Sequence, residues 1–283
     1  MRTGTLITTT LISDRAALTA ARDALSGPVA AVLTMGALHD GHASLIRLAR
    51  QRADHVLVSV FVNPLQFGES DDFQRYPRTL EADVELAAAA GADLVFAPDR
   101  ADIWPAAPRV TVDAGPVQHL YEGAIRPGHF NGVCTVVLAL FHLLRPDVSV
   151  FGDKDAQQLA VIRAMVRDLA LPVEIVGAPI VRDPDGLAMS SRNRFLSAPE
   201  RAAAPVLARA LRAGADMAGA GRQAVLQAAG EVLATEPAVH PDYLDIVTPD
   251  FDIAHGGDGR IIVAARVGGV RLLDNMPVAL KGS

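Results

Sequence analysis

The sequence has one cysteine, Cys134, in 283 residues. That excludes an intrachain disulfide and any zinc or iron–sulfur centre built on several thiolates, and it fits a reducing compartment. Long apolar runs are also lacking. The longest, Val133–Leu144, is about a dozen residues and carries His142, whereas a membrane span needs ~20. The N-terminal stretch Met1–Ser13 is Thr-rich with one Arg and lacks the apolar centre of an export signal. The expectation is a soluble, cytoplasmic protein with no membrane partner. Positive charge is not in excess: 26 Lys and Arg against 32 Asp and Glu give a net charge of −6. That balance argues against a protein that lives on nucleic-acid phosphates. Several catalytic signatures are missing, namely the GxxxxGK[ST] phosphate loop, the HExxH zinc helix and the GxSxG elbow. Gly219-Ala220-Gly221 does not follow a strand pattern, so it is no dinucleotide fingerprint.

What remains is a globular composition, 50% apolar and 20% charged. At ~150 residues per domain the length favours one large domain or two modest ones. Up to about residue 180, short apolar runs alternate with helical patterns. Val29–Leu33, His55–Val62, Asp93–Phe96, Val148–Phe151 and Val173–Val176 read as strands buried on both faces. Gly41–Arg52, Thr79–Ala90, Gly132–Leu144 and Asp153–Leu169 read as helices, with Thr79 as an N-cap and Glu81 and Asp83 in the first turn. The alternation predicts an α/β domain, a Rossmann-like doubly wound parallel sheet. Beyond Asp183-Pro184-Asp185-Gly186, a turn signal, the texture changes. Ala-rich helical stretches at Pro199–Ala218 and Gln223–Ala234 precede short strands at Tyr243–Val247, Arg260–Ala265 and Val270–Leu273, separated by Gly-rich turns such as Gly256–Gly259. This predicts a smaller C-terminal α+β domain with an antiparallel sheet. The expected domains are residues 1–181 and 182–283.

Thr34-Met35-Gly36-Ala37-Leu38-His39-Asp40-Gly41-His42 directly follows what reads as the first strand and opens what reads as the first helix. In an open α/β sheet, ligands sit beyond the carboxyl ends of the strands. A helix N-terminus favours phosphate, and Gly36 and Gly41 permit close backbone approach. His39 and His42, three apart, share a side if helical geometry begins there. Two imidazoles beside a phosphate can donate hydrogen bonds to charge that builds in the transition state. A capping or surface pair is the plainer reading, and a zinc pair would need a third ligand that is not evident nearby.

The segment resembles the HxGH signature of the class I aminoacyl-tRNA synthetase and nucleotidyltransferase superfamily, which implies attack on the α-phosphorus of a nucleotide. Four further segments accompany it: Phe61-Val62-Asn63-Pro64-Leu65-Gln66-Phe67, Arg126–Val133, Phe151-Gly152-Asp153-Lys154-Asp155-Ala156-Gln157-Gln158, and Met189-Ser190-Ser191-Arg192-Asn193. In this order they resemble the pantothenate synthetase (pantoate–β-alanine ligase) family, over about Leu33–Leu273. The resemblance implies an AMP-forming ligase. The carboxylate of (R)-pantoate attacks the α-phosphorus of ATP, and β-alanine then attacks the pantoyl adenylate. It also implies a homodimer, a Rossmann-like domain and a C-terminal lid.

On that resemblance His42, His39, Lys154, Ser190, Ser191 and Arg192 are the catalytic set. Lys154 suits a phosphate site as a point charge in a chain whose other lysine is Lys281. ATP contacts extend to Met35, Gly36, Gly41, Gly152, Asp153, Asp155, Val181 and Met189. Gln66 and Gln158 would bind pantoate, since an amide both donates and accepts without repelling an anion. Asn63 and His129 are second-rank substrate contacts. Where the family often has an aromatic residue between the KD and QQ pairs, this chain has Ala156. Carboxylates are not clustered after Tyr76-Pro77-Arg78, so no protein metal site is assigned, and Mg²⁺ is expected to travel with the ATP phosphates. A nucleotidyltransferase acting on a phosphate acceptor and a non-catalytic nucleotide sensor are the rival readings. Length and acidity disfavour a tRNA-charging enzyme.

Overall fold

The computed structural model describes residues 9–68 and 72–281. Residues 1–8, and with them most of the stretch read for an export signal, lie outside the described residues. The chain divides into two compact units, one of residues 1–152 with 161–178, the other of 153–160 with 179–283. The expected division at 181/182 compares with 178/179 here, and the short segment after Gly152 groups with the C-terminal residues.

Among the described residues the first unit is built on six parallel strands: β1 Thr10–Ile12, β2 Val29–Thr34, β3 His55–Val60, β4 Leu94–Phe96, β5 Val148–Gly152 and β6 Glu174–Ala178. Their order in the sheet is β1-β4-β3-β2-β5-β6. Each of β2, β3 and β5 is rich in small or β-branched apolar residues, as two-sided burial requires. Ala30, Val32, Val56 and Val58 pack with Ala43, Ile46 and Ala49 of helix Asp40–Arg52 and with Ala87 and Ala90 of helix Leu80–Ala90. The alternate residues Val29, Ala31 and Leu57 are equally buried, so both faces of the sheet are covered.

The predicted doubly wound sheet is present, and three local readings are corrected. A strand at Thr10–Ile12 and a helix at Arg15–Asp23 precede Val29. The His39 loop therefore follows the second strand and opens the second helix. A three-residue edge strand leaves little periodicity in the sequence. Thr79 stands at the N-cap position of helix Leu80–Ala90, but its hydroxyl donates to Asp83 Oδ1 at 3.1 Å instead of capping. Asp153–Asp155 form a separate 3₁₀ turn before helix Ala156–Asp168.

The second unit carries β7 Val239–Val247, β8 Gly257–Val267 and β9 Val270–Leu280 in an antiparallel sheet of order β7-β8-β9. The strands outrun the expected segments: β7 at its start, β8 at both ends and β9 at its end. Gly257–Gly259, read as turn, are paired with Val278–Leu280. Leu207 and Leu211 of helix Val206–Asp216 and Val225 and Ala229 of helix Arg222–Leu233 form one core with Ile246, Ile261, Val263, Leu272 and Val278. The single helical stretch expected at Pro199–Ala218 is two helices, Ala198–Ala203 and Val206–Asp216. Pro205, which lacks the N–H that would continue the ladder, separates them. The Asp183–Gly186 turn is formed: the Asp183 N–H donates to Leu187 O, the Gly186 N–H donates to Asp183 O, both at 2.8 Å, and Gly186 has φ 95°. No helix among the described residues is long and apolar enough to cross a membrane.

Cys134 is fully buried in helix His129–Leu144. Burial, with a smaller contribution from the charge of Asp113, pushes its thiol up to about 12. At pH 8 the reactive thiolate is then on the order of one molecule in 10⁴. Iodoacetamide is expected to leave the native protein unlabelled at pH 8 and to label Cys134 in denaturant. Rapid labelling of the native protein, read by intact mass, would contradict that environment.

Candidate active site

Strands β2 and β5 are neighbours in the sheet, paired at Ala30–Val148 and Ala31–Ser149. From β2 the chain first winds toward β3 and β4, then returns to β5 on the other side. The carboxyl ends of β2 and β5 thus flank the topological switch point, where open α/β sheets bind ligands. The loop that leaves β2 there carries Met35, Gly36, His39, Gly41 and His42. Gly152 is the residue that closes β5.

The loop is held by a buried carboxylate. Asp83, 2% exposed, accepts from the Ala37 N–H at 3.0 Å through Oδ2, and from the Leu38 N–H at 2.8 Å and the Thr79 hydroxyl at 3.1 Å through Oδ1. Those bonds hold a strained turn. Gly36 has φ 86° and Ala37 φ 51°, the left-handed region that costs a non-glycine residue about 1 kcal/mol or more. A Cβ on Gly36 would lie 2.9 Å from Asp83 Oδ2. The loop and its carboxylate are therefore fitted to one another. Asp83 was legible in the sequence only as a first-turn acid of its helix.

The two histidines begin helix Asp40–Arg52. His39 is its N-cap, and its Nδ1 accepts from the Gly41 N–H at 3.1 Å; His42 Nδ1 accepts from the His39 N–H at 3.2 Å. Their ring centroids are 4.2 Å apart. The capping reading is realised in these two bonds. A neutral imidazole whose Nδ1 accepts must carry its proton on Nε2, so the caps select the tautomer. Each ring keeps Nε2–H as its donor end, beside the positive end of a 13-residue helix.

Gln66, Asn63 and His129 come together in the same unit. Asn63 is the N-cap of the 3₁₀ turn Pro64–Gln66, its Oδ1 accepting from the Leu65 N–H at 3.1 Å. Its Nδ2 donates to Gln66 Oε1 at 2.9 Å and to Gly132 O at 3.1 Å. Gln66 Nε2 points to Met35 Sδ at 3.1 Å, which links the glutamine to the β2 loop. His129 Nδ1 is 2.9 Å from Gln66 O, and its Nε2 is 3.2 Å from Arg126 Nη1. Asn63 and His129 are thus engaged in fixing Gln66. Helix His129–Leu144 approaches this turn so closely that a Cβ on Gly132 would lie 2.2 Å from Leu65 O.

The remaining expected residues belong to the second unit. Lys154 is mostly covered, with a side-chain exposure of 18% and Asp155 Oδ1 at 4.0 Å. Gln158 follows one turn later, half-buried in helix Ala156–Asp168, with the buried Gln157 before it. The main chains of Val181 and Met189 are joined, Met189 N–H to Val181 O at 2.9 Å. Ser190 caps the 3₁₀ turn Ser191–Phe195, its Oγ accepting from the Arg192 N–H at 3.3 Å. Its own O–H proton is a separate donor. No group of three or more His, Cys, Asp or Glu side chains among the described residues could hold a metal ion.

A family model described as Pantoate-beta-alanine ligase matches residues 6–277. The pantothenate synthetase of Acidothermus cellulolyticus is 55% identical over 270 residues, 92% of this chain and 89% of that one. That of Salinispora arenicola is 55% identical over 279 residues, 96% and 98% of the two chains. Among solved structures, a pantothenate synthetase from Thermus thermophilus superposes with a TM-score of 0.90 at 47% identity, covering 95% of this chain and 99% of that one. A pantoate-beta-alanine ligase from Francisella tularensis, complexed with beta-gamma ATP and beta-alanine, superposes with a TM-score of 0.80 at 31% identity, covering 95% and 97%.

The carboxylate of Asp83 gives a direct test. Asp83→Asn turns one acceptor into an NH₂ group facing a main-chain N–H, and an unsatisfied buried polar group costs about 1–3 kcal/mol. A lower melting temperature and lower turnover are expected. Unchanged melting and turnover would remove Asp83 as the loop's anchor.

Proposed function

The chain belongs to the pantoate–beta-alanine ligase family, and on that premise we propose how its residues divide the reaction. The enzyme joins (R)-pantoate to β-alanine at the expense of ATP. The pantoate carboxylate attacks the α-phosphorus, the bond to the pyrophosphate oxygen breaks, and pyrophosphate leaves. The amine of β-alanine then attacks the acyl carbon of the adenylate, the bond from that carbon to the phosphate oxygen breaks, and AMP leaves with that electron pair. The observation that carries the assignment is the pair of Nδ1 caps, which fixes His39 and His42 with Nε2–H as donor at the switch point.

In this reading the two Nε2–H groups donate to ATP phosphates, and His42 is the donor to charge that grows in the transition state. Met35, Gly36 and Gly41 let the backbone approach the nucleotide. Gly152, Asp153, Asp155, Val181 and Met189 complete its binding. Lys154 adds a point charge worth about 4 kcal/mol gross at ~4 Å and an effective dielectric of ~20. Ser190, Ser191 and Arg192 donate to the phosphates. Gln66 and Gln158 take pantoate. The Gln66 amide uses one acceptor site and one N–H in the contacts described, and an amide has two of each. Asn63 holds that amide in place and His129 holds the Gln66 main-chain carbonyl, and both remain second-rank contacts of the substrate. Mg²⁺ enters as the counter-ion of ATP. Catalysis is then positioning and electrostatics with no enzyme-bound covalent intermediate.

The same reading takes residues 1–181 as the ATP- and pantoate-binding domain and residues 182–283 as a lid that shields the acyl adenylate from water. It takes the active form as a homodimer and its place as the cytoplasm. The family match over residues 6–277 and the relative complexed with beta-gamma ATP and beta-alanine support the use of ATP and β-alanine; the lid, the dimer and the location rest on the resemblance of the motifs.

Purified protein given ATP, Mg²⁺ and pantoate is expected to release pyrophosphate, and to form AMP and pantothenate only once β-alanine is added. Absence of pantoate-dependent pyrophosphate from folded, ATP-binding protein would overturn the residue assignment and the order of steps together. His42→Ala is expected to lose turnover by about 10²–10³-fold while ATP binding, followed by calorimetry, is largely retained. Unchanged turnover would take His42 out of the mechanism.

A further inference from the structure

The turn that carries Lys154 is held by a side chain 121 residues away in sequence. Asn275 lies in β9 and is 3% exposed. Its Nδ2 donates to two consecutive main-chain carbonyls, Asp153 O and Lys154 O, each at 2.9 Å. Its Oδ1 accepts from Arg260 Nη1, and Arg260 Nη2 lies 3.4 Å from Asp153 Oδ2.

Those two carbonyls belong to the peptide planes on either side of the Lys154 Cα. Peptide units are planar, so φ and ψ are the only soft angles between them. Pinning both planes therefore fixes the direction in which the Lys154 side chain leaves the backbone. A carboxamide is the smallest side chain that can do this, because one nitrogen offers two hydrogens. Asp offers no donor and Ser offers one.

Asn275 is fixed in turn. Its N–H donates to Asp274 Oδ1 at 2.7 Å and its carbonyl accepts from Arg182 Nη2 at 3.3 Å. Arg182 grips the buried Asp274 with two bonds, at 2.6 and 2.9 Å. Such a paired, two-toothed contact fixes geometry as well as charge.

We propose that Asn275 is the positioning residue for Lys154 in the ligase reaction, with Arg260 setting the orientation of its amide. The proposal rests on the reading that Lys154 contacts the ATP phosphates. It assigns to β9 a catalytic duty exercised without touching substrate.

The test is a double-mutant cycle in the full-length protein with Asn275→Leu and Lys154→Ala. Leucine keeps the branched shape of the amide, removes its donors and adds no charge. The readouts are the ATP dissociation constant by calorimetry and the rate of pantoate-dependent pyrophosphate release. Each single variant is expected to lose about tenfold or more in the release rate, since small misplacements of a catalytic group cost up to ~10²-fold. The double variant is expected to be no worse than Lys154→Ala alone. If Lys154→Ala is impaired but Asn275→Leu is unchanged, or the two losses multiply, the positioning role is overturned and the reading of Lys154 stands. If Lys154→Ala is itself unchanged in both readouts, that reading falls and the proposal with it. Should Asn275→Leu lack a cooperative melting transition, Arg260→Gln takes its place in the same cycle, with a loss of about threefold expected and the same non-additivity deciding the outcome.

Discussion

In a parallel sheet every strand ends at the same edge, and the loops that follow must emerge there. The order β1-β4-β3-β2-β5-β6 makes the chain part company with itself at β2 and β5. Everything attributed to the first unit's site depends on that parting. It opens a crevice between two strand ends, and it aims the N-terminus of helix Asp40–Arg52 along the edge. In the proposed site, the paired histidines, the Met35 thioether and the Gln66 amide serve the gap that such a backbone topology creates.

A second regularity concerns how these groups are kept still. In each case a buried polar side chain grips main-chain groups, and Asn63 grips the Gln66 amide as well. Asp83 takes the N–H groups of Ala37 and Leu38. Asn63 takes the Leu65 N–H and the Gly132 carbonyl. Asn275 takes the carbonyls of Asp153 and Lys154. Main-chain groups at strand ends lie beyond the ladder and must be satisfied somehow. Meeting that need with a buried carboxylate or amide does two jobs at once, because the same bonds fix the backbone from which a catalytic side chain departs.

How far the sequence is readable follows from this division of labour. The side chains proposed to meet the ligand lie in short local motifs: those of His39, His42, Gln66 and Lys154 follow strand patterns, and that of Ser190 is carried by the family resemblance. The residues that hold them could not be picked out in this way. Asp83 reaches its loop across 46 residues and Asn275 across 122. Neither lies in a pattern that distinguishes it from a first-turn acid or from the end of a strand. The contacts of Asn63 and His129 with Gln66 were not legible either, since the bond from His129 to Gln66 O spans 63 residues. At the level of the fold, long periodic elements were legible, whereas the three-residue β1 and the break at Pro205 depended on pairing and local backbone chemistry.

The close passage of helix His129–Leu144 over the Pro64–Gln66 turn has an implication for redesign. With Leu65 O only 2.2 Å from where a Cβ at position 132 would stand, two stretches of main chain meet with nothing between them. The separation of the Gln66 turn from that helix is therefore set by van der Waals radii and not by any side chain that could be exchanged. On the proposed assignment of Gln66 to the acid substrate, an effort to recast acid specificity has no room to gain space by substitution at that seam. The shape of the accepted acid would have to be rewritten through the amide tips, or by moving a whole helix.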